Sequence, residues 1–537
     1  MDLMTDKYKE DLGNFSHLDL YFSEFLSKKE AISDVNIKYA LAFLFFQSRQ
    51  GHLCVSGKDI FSSLFSEDFL MLVKMGFSQL KNCKTIIEYK SCYYLHKNWV
   101  IESHIIDDIN RLQFGVSPFS TNGDFKLESE KLLDKKIISK EQFSLFERCL
   151  KKKLIFLSGG PGSGKTYTAS RLLEVIAKTS TNLKVVITAP TGKAVSNLQE
   201  KIADLKLDFE YQAKTMHSLL KLHELQNINF NNSKINADII IIDEASMIDA
   251  FLFALFLSAI GDKTTVIFMG DQDQLPPVEG GCPFADIVNA RKDLCVKLNT
   301  SHRFKNSYLV NLLKEGSPFE FLNEIKLKNI YEESIFDREL NIVHTHIVSL
   351  VEKHLVIHDS QKIDPESTLK TFEKFRLLNC VRQGSYGVDA MNQELYSFFS
   401  KKFSKHNFAY PILITENNFQ MKLFNGMTGI IIKENGIENA YFMLDNQLKI
   451  FPKLALPSYE LGFVISIHKS QGSEYDDVYI IVPNGSEKFG KQVLYTAITR
   501  AKSNVKILGP LSVIEATIKS IGAKKSLIGQ RLSAGRN

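Results

Sequence analysis

The stretch Gly159-Gly160-Pro161-Gly162-Ser163-Gly164-Lys165-Thr166 fits the pattern G-x-x-x-x-G-K-[ST], and its surroundings fit as well. The apolar run Leu154-Ile155-Phe156-Leu157 precedes it and reads as a buried strand. A helical segment follows from Tyr167 to Ala177, in which Ala169, Leu172, Leu173 and Ile176 recur three or four apart. The glycines let the backbone curl so that successive N–H groups point inward at a phosphate. The next helix N-terminus adds its partial positive charge there. Lys165 then reaches the β- and γ-phosphates, and the Thr166 hydroxyl ligates Mg²⁺. The reading is a strand–loop–helix that binds a nucleoside triphosphate.

Working upstream, Ser139 is placed to cap an amphipathic helix leading to this loop, and Gln142 lies near any bound base. A glutamine amide donates to N7 and accepts from N6 of adenine, which would select ATP. Downstream, Lys184 to Ala189 is a second buried strand, followed by Pro190-Thr191-Gly192-Lys193 and a helix. A third, Ala237 to Ile242, runs into Asp243-Glu244-Ala245-Ser246. Open parallel sheets bind ligands at the C-terminal edge of their strands. There Asp243 would hold hydrated Mg²⁺, while Glu244 would orient and deprotonate the attacking water. A fourth strand, Thr265 to Met269, leads into Gly270-Asp271-Gln272-Asp273-Gln274-Leu275-Pro276-Pro277, whose Gln274 is a candidate to sense the γ-phosphate. Repeated strand–helix alternation with ligating groups at strand ends predicts a doubly wound α/β core.

A chain of 537 residues is too long for one core. Its composition, 44% hydrophobic and 24% charged, is that of a globular protein. The first residues lack the basic and apolar regions of a secretory signal, and the longest apolar run, Ala250 to Ile260, is too short to span a bilayer. Seven scattered cysteines without a C-x-x-C pair read as reduced thiols, so a cytoplasmic protein without membrane contact is expected. The net charge of +5 is uneven: ten Lys/Arg face two Asp/Glu from Ser486 onward. Such an end either follows a nucleic-acid backbone or is a solvated tail. Residues 1–125 look like a separate, mostly helical domain, with Ile32 to Gln47 as a buried helix. Thr85 to Tyr94, with Trp99, looks strand-like, and Val116 to Gly123 reads as a linker.

Eight stretches in order resemble a superfamily 1 helicase of the RecD branch, the α subunit of exodeoxyribonuclease V. They are Gly159 to Thr166, Ala189 to Ala194, Thr215 to Leu220, Asp243 to Ser246, Gly270 to Gly281, Leu298 to Phe304, Ser466 to Glu474 and Leu494 to Lys502. Leu377 to Asn392 and Leu423 to Gly426 are similar to that family too, and the likeness runs from about residue 90 to 505. The resemblance implies two RecA-like P-loop NTPase domains, 126–300 and 301–537, with a helical, partner-binding amino-terminal domain. It also implies a small β-barrel inserted at about 409–461, where short β-rich runs alternate with turn residues. Met427 stands where the family usually carries an acid.

By the same resemblance, Arg303 and Arg500 act as arginine fingers from the second domain, completing a catalytic set of Lys165, Asp243, Glu244 and Gln274. Thr191, Lys193, Thr215 and His217 would touch DNA from the first domain, and His468, Ser470, Gln471 and Glu474 would couple strand to nucleotide in the second. The implied protein is an ATP-driven 5′–3′ DNA helicase on single strands and duplex ends, working with RecB and RecC subunits in recombinational repair. No acids outside the ATP site cluster at a metal-binding spacing, so nuclease activity is expected in another subunit. The rivals are a stand-alone RecD-like helicase and a nucleotide-gated binding module that does not translocate.

Overall fold

A computed structural model describes residues 8–534 apart from 58–59, 61–63, 81–82, 115–116, 118, 120–121, 181–182, 204–210, 223–229, 231–233, 301–306, 333–339, 360–362, 419, 445–446, 521 and 523. Two parallel sheets organise it. The first is built from β1 (Leu154–Gly159), β2 (Val185–Ala189), β3 (Tyr211–Thr215), β4 (Ile239–Ile242), β5 (Thr265–Gly270) and β6 (Cys295–Leu298). Their order is β3-β2-β4-β5-β1-β6, each neighbouring pair parallel. The second contains β7 (Tyr331–Glu332), β8 (Phe375–Asn379), β9 (Val464–Ser466), β10 (Tyr475–Ile481) and β11 (Ala501–Leu508), in the order β7-β11-β10-β8-β9 and again parallel.

The strand sequences explain this choice. β4 is four consecutive isoleucines, and β1 and β5 are buried along their whole length. Sheets covered by helices on both faces need apolar runs rather than alternation, and β-branched residues suit the pleat. The α/β class with parallel sheets read from the sequence is therefore what the chain has.

Ahead of the first sheet, helices His17–Lys29, Val35–Arg49, Glu67–Gln79 and His96–Gln113 surround a small antiparallel sheet of Val55–Ser56, Cys92–Leu95 and Ile86–Tyr89. The strand-like reading of Thr85 to Tyr94 resolves into a hairpin. Trp99 does not join it, because the helix has already begun at His96. That helix lays Ile101, Ile105, Ile109 and Leu112 against Ala250–Ser258, so one core runs from the amino-terminal region into the first sheet. The apolar run at 250–260 is buried all round because it is sandwiched there. Of the expected linker, Val116, Pro118, Ser120 and Thr121 lie outside the described residues, while Ser117 and Phe119 are buried, the Ser117 hydroxyl donating to the Cys149 carbonyl.

The β-rich stretch forms an antiparallel sheet. Asn407–Ile414 pairs with Thr428–Glu434, then Ile437–Leu444 and Gln447–Pro452, while Ile357–Asp359 and Tyr459–Leu461 share the other edge of Asn407–Ile414. Among the described residues, Gln447–Pro452 and the opposite edge strands are not paired to each other. Its inner face joins the core of the second sheet.

The basic end is no solvated tail. Lys506 pairs with Glu332, Lys519 with Glu515 and Arg531 with Glu102. After helix Leu511–Lys519 the chain leaves the second lobe, and its last helix, Ile528–Ala534, packs on Pro283–Ala290 and His96–Gln113. The span 301–537 drawn for the second domain thus includes a segment that sits on the first lobe. Among the described residues no helix is long and apolar enough to cross a membrane, and all seven cysteines are free.

Candidate nucleotide site and lobe interface

Three adjacent strands of the first sheet, β4, β5 and β1, end on one edge, and each end carries chemistry. Following β1, the loop reaches the left-handed region at Gly162 and Gly164, with φ of 70° and 84°, which only glycine adopts without strain. Gly164 caps the helix Lys165–Thr179, where a Cβ would lie 2.7 Å from Gln142 Nε2. Gly159 to Thr166 thus form a strand–loop–helix cradle. The Lys165 ammonium folds back onto the Gly159 and Gly160 carbonyls at 2.7 and 3.2 Å, contacts that phosphate oxygens would replace. Pro161 and Ser163 lie in the turn itself, Ser163 with a buried, unpartnered hydroxyl.

Gln142 is buried beside this loop, and the Ser139–Gln142 capping box is present. Its Oε1 accepts the Ser139 N–H at 2.9 Å, leaving the oxygen's second lone pair and the amide nitrogen for a ligand.

At the end of β4, Asp243 Oδ2 lies 3.5 Å from the Thr166 hydroxyl, and its Oδ1 accepts the Glu244 N–H at 2.9 Å. Glu244 is held at φ 51°, uncommon for a residue with a side chain. Burial raises the pKa of Asp243, and burial together with the Asp243 charge raises that of Glu244; Arg500 and Lys165 work against the Glu244 shift. Two crowded carboxylates beside a hydroxyl are an oxygen-rich donor set suited to a hydrated divalent cation held partly by phosphates. Among the described residues no cluster of three or more His, Cys, Asp or Glu makes an all-protein metal cage.

The end of β5 faces the second lobe. Asp271 is buried and accepts the Tyr495 hydroxyl at 2.7 Å and, more weakly, the Gln274 amide at 3.4 Å. Leu275 sits in the core of the second lobe, its N–H donating to Thr496 Oγ1 at 2.8 Å and its carbonyl accepting Gln471 Nε2 at 3.5 Å. Asn197 also crosses to the Gly472 carbonyl at 2.9 Å. Arg500 is 4% exposed; its guanidinium donates to the Thr496 and Ser473 carbonyls, and its charge reaches Glu244 across the interface. Its Nη2 donates to the Thr499 hydroxyl at 3.3 Å, so these hydrogen bonds all lie within the second lobe. Arg303 lies outside the described residues; just before it, the Asn299 and Thr300 N–H groups donate to Glu141.

The DNA candidates divide. Thr191 and Thr215 follow the neighbouring strands β2 and β3, and each hydroxyl oxygen caps a helix, accepting from Ala194 and Ser218 at 3.3 Å. Each still has a proton to donate to a phosphate. His217 is exposed and Lys193 half-buried on that same edge. In the second lobe only Glu474 is exposed. Ser470 is fully buried with its hydroxyl on the Ile467 carbonyl, so it is not the strand contact expected of it. Burial pushes the His468 pKa down to about 4, helped by Lys524, which leaves the ring neutral beside Phe489. Gln471 spans the lobes instead of facing solvent.

Sequence reasoning missed Asp271, Leu275, Tyr495 and Thr496 as a group. The letters were visible in two motifs, but nothing local says that residues 221 and 224 apart meet.

Comparisons with known proteins agree with this arrangement. Residues 142–280 match the model of the AAA domain, and residues 461–508 that of the UvrD-like helicase C-terminal domain. The RecBCD enzyme subunit RecD of Buchnera aphidicola subsp. Schizaphis graminum is 28% identical, over 93% of this chain and 96% of its own. That of Mycolicibacterium smegmatis is 26% identical over 96% and 97%. The ATP-dependent RecD2 DNA helicase of Deinococcus radiodurans is 24% identical over 74% of this chain but only 53% of its own.

Proposed function

We propose that this chain, a RecD-like ATP-dependent DNA helicase, drives 5′–3′ movement on single-stranded DNA as the RecD subunit of a RecB–RecC–RecD assembly acting on duplex ends. The observation that carries the reading is the convergence of the phosphate loop, Asp243–Glu244 and Gln274 on one sheet edge, closed by Arg500 from another lobe. A binding module that did not hydrolyse would have no use for a cation reaching Glu244 from across a cleft.

Phosphoryl transfer is chiefly positioning and charge stabilisation. The loop N–H groups and Lys165 hold the phosphates, and Gln142 lies beside the base. Mg²⁺, where bound, would sit between Thr166, Asp243 and the phosphates and neutralise their charge. Glu244 takes a proton from the attacking water. Arg500, with Arg303 expected alongside it, stabilises charge on the transferring group. Because the fingers belong to the second lobe, the cleft is tight before hydrolysis and looser after it. Thr191, Lys193, Thr215 and His217 then hold the strand by its phosphates, without reading sequence.

The two parallel-sheet lobes serve as the RecA-like pair, with the antiparallel sheet as a barrel-like insertion. The exposed stripe of Leu18, Tyr21 and Phe25 on helix His17–Lys29 supports partner docking by the amino-terminal region, in a cytoplasmic complex whose nuclease belongs to another subunit. The RecD relatives match 93% and 96% of this chain and the RecD2 helicase 74%, which favours the subunit over the stand-alone form. The test is ATP turnover and unwinding of a 5′-tailed duplex, by the chain alone and co-expressed with RecB and RecC. Turnover without DNA stimulation in both preparations would overturn the reading.

A further inference from the structure

Asp271 is buried, and its carboxylate meets three donors. Oδ2 takes the Tyr495 hydroxyl at 2.7 Å and the Gln274 amide at 3.4 Å, and Oδ1 takes the Asp273 N–H at 3.1 Å. An ionised carboxylate only accepts. Tyr495 must therefore keep its proton, in keeping with a pKa raised well above that of a free phenol by burial and by Asp271. Gln274 must turn its NH₂, rather than its carbonyl, toward Asp271. Its Oε1 is then left buried with no protein partner. A buried acceptor of that kind is costly unless a donor arrives from outside the chain.

Tyr495 is well placed to control this. A Cβ on Gly160 of the phosphate loop would come within 3.3 Å of its hydroxyl, so it stands directly against the cradle. It lies on the helix Lys491–Ile498, next to Thr496, which holds the Leu275 N–H, and Arg500 follows the end of that helix. Lys314, paired with Asp273, lies 4.8 Å from the Tyr495 ring.

We propose that Tyr495 is a positioning residue for ATP hydrolysis: through Asp271 it fixes the Gln274 amide, so that Gln274 Oε1 accepts a hydrogen bond from the attacking water while the lobes are closed. In the step it serves, the water oxygen bonds to the γ-phosphorus as the bridging P–O bond to the β-phosphate breaks. One water proton passes to Glu244, and the other stays on oxygen, donated to Gln274. The same helix movement that brings in Arg500 thereby orients the nucleophile. The inference rests on the ATPase reading above.

The test is Tyr495→Phe, which removes the hydroxyl and keeps the ring, made in the full chain with its partners where they are needed. Hydrogen bonds to charged groups set the expected scale: kcat at saturating single-stranded DNA falls about ten- to a hundred-fold. The KM for ATP and the binding of a fluorescent ATP analogue stay within about threefold. Asp271→Asn produces the same loss, and the double variant is no worse than the more affected single one. A kcat within about twofold of wild type, losses that multiply in the double variant, or a loss carried by KM would each overturn the proposal. Wild type run alongside distinguishes this failure from that of the ATPase reading, since only the latter abolishes DNA-stimulated turnover in the unaltered chain.

Discussion

Replacing Arg531 by alanine should release the chain's last helix from the first lobe. Glu102, on the helix His96–Gln113, is fully buried and receives the Arg531 guanidinium at 3.2 Å, the Leu527 N–H at 3.2 Å and the Tyr94 hydroxyl at 3.1 Å. The guanidinium also donates to Ser103 Oγ at 2.9 Å and lies 3.9 Å from the Trp99 ring. Breaking a buried pair by removing one partner costs about 3–5 kcal/mol. The lower end applies, because Glu102 keeps two donors, and the lost cation–π contact adds about 1 kcal/mol. A cost of roughly 4 kcal/mol weakens docking of residues 526–532 by about three powers of ten. Hydrogen–deuterium exchange of that segment reads it directly, as protection lost there while β1 and β5 keep theirs.

The carboxyl supplies an internal check. Burial raises the Glu102 pKa, and Arg531 opposes the rise. A carboxyl with a raised folded pKa binds its proton more tightly folded than unfolded, so its contribution grows as pH falls through the folded value. The R531A deficit should thus be smaller at pH 5 than at pH 8, and Glu102→Gln should recover much of it at both. Unchanged exchange in R531A, or a double variant no better protected than the single one, would refute the reasoning.

Lys165→Gln should abolish ATP turnover while leaving the circular dichroism spectrum and melting profile intact, since its ammonium touches loop carbonyls and no core residue. Arg500→Ala should still bind a fluorescent ATP analogue but hydrolyse it about 10³-fold more slowly or worse, as single-turnover kinetics would show. Lys193→Ala should weaken single-strand binding equally across sequences and lower the salt slope by about one counterion, measured by fluorescence anisotropy at several salt concentrations.

What the sequence made legible is what is local. The phosphate loop needs glycine, lysine and threonine at fixed offsets, and Asp243–Glu244 follow four isoleucines whose burial forces the acids to the strand's edge. Gln142 was legible only as a base contact; that its oxygen also closes the capping box with Ser139 came from the structure. What stayed hidden depends on distance along the chain. Gln471 looks like a polar contact residue in sequence, yet its amide reaches the Leu275 carbonyl, 196 residues away. Lys524 looks like part of a basic tail, yet its ammonium is capped by the carbonyls of Pro277, Val278 and Glu279, 245 to 247 residues away. No periodicity encodes such returns.

Those returns also explain how the stretch from Asp271 to Gly281 is held, although it has no regular structure of its own. A free loop of that length would spend conformational entropy at every turnover. Here its first half is gripped by the second lobe, through Tyr495 on Asp271 and through Leu275 in a foreign core. Its second half is gripped by the chain's end, the amino-terminal region and the first lobe: Lys524 on three carbonyls, the Gly281 N–H on the Gly51 carbonyl, and the Ala250 N–H on that of Gly280. Gln274 sits in the half gripped by the lobe that carries Arg500, and the other half is held on the first-lobe side. Between the two grips lie Pro276 and Pro277, two successive prolines that limit how far the backbone can yield. Such stiffness would carry displacement of the second lobe to the Gln274 amide instead of dissipating it in slack chain. Lys524→Ala, which removes the ammonium from those three carbonyls, separates the two grips. If the rear one matters to turnover, kcat falls with the exchange protection; if it only holds the end of the chain in place, protection falls alone.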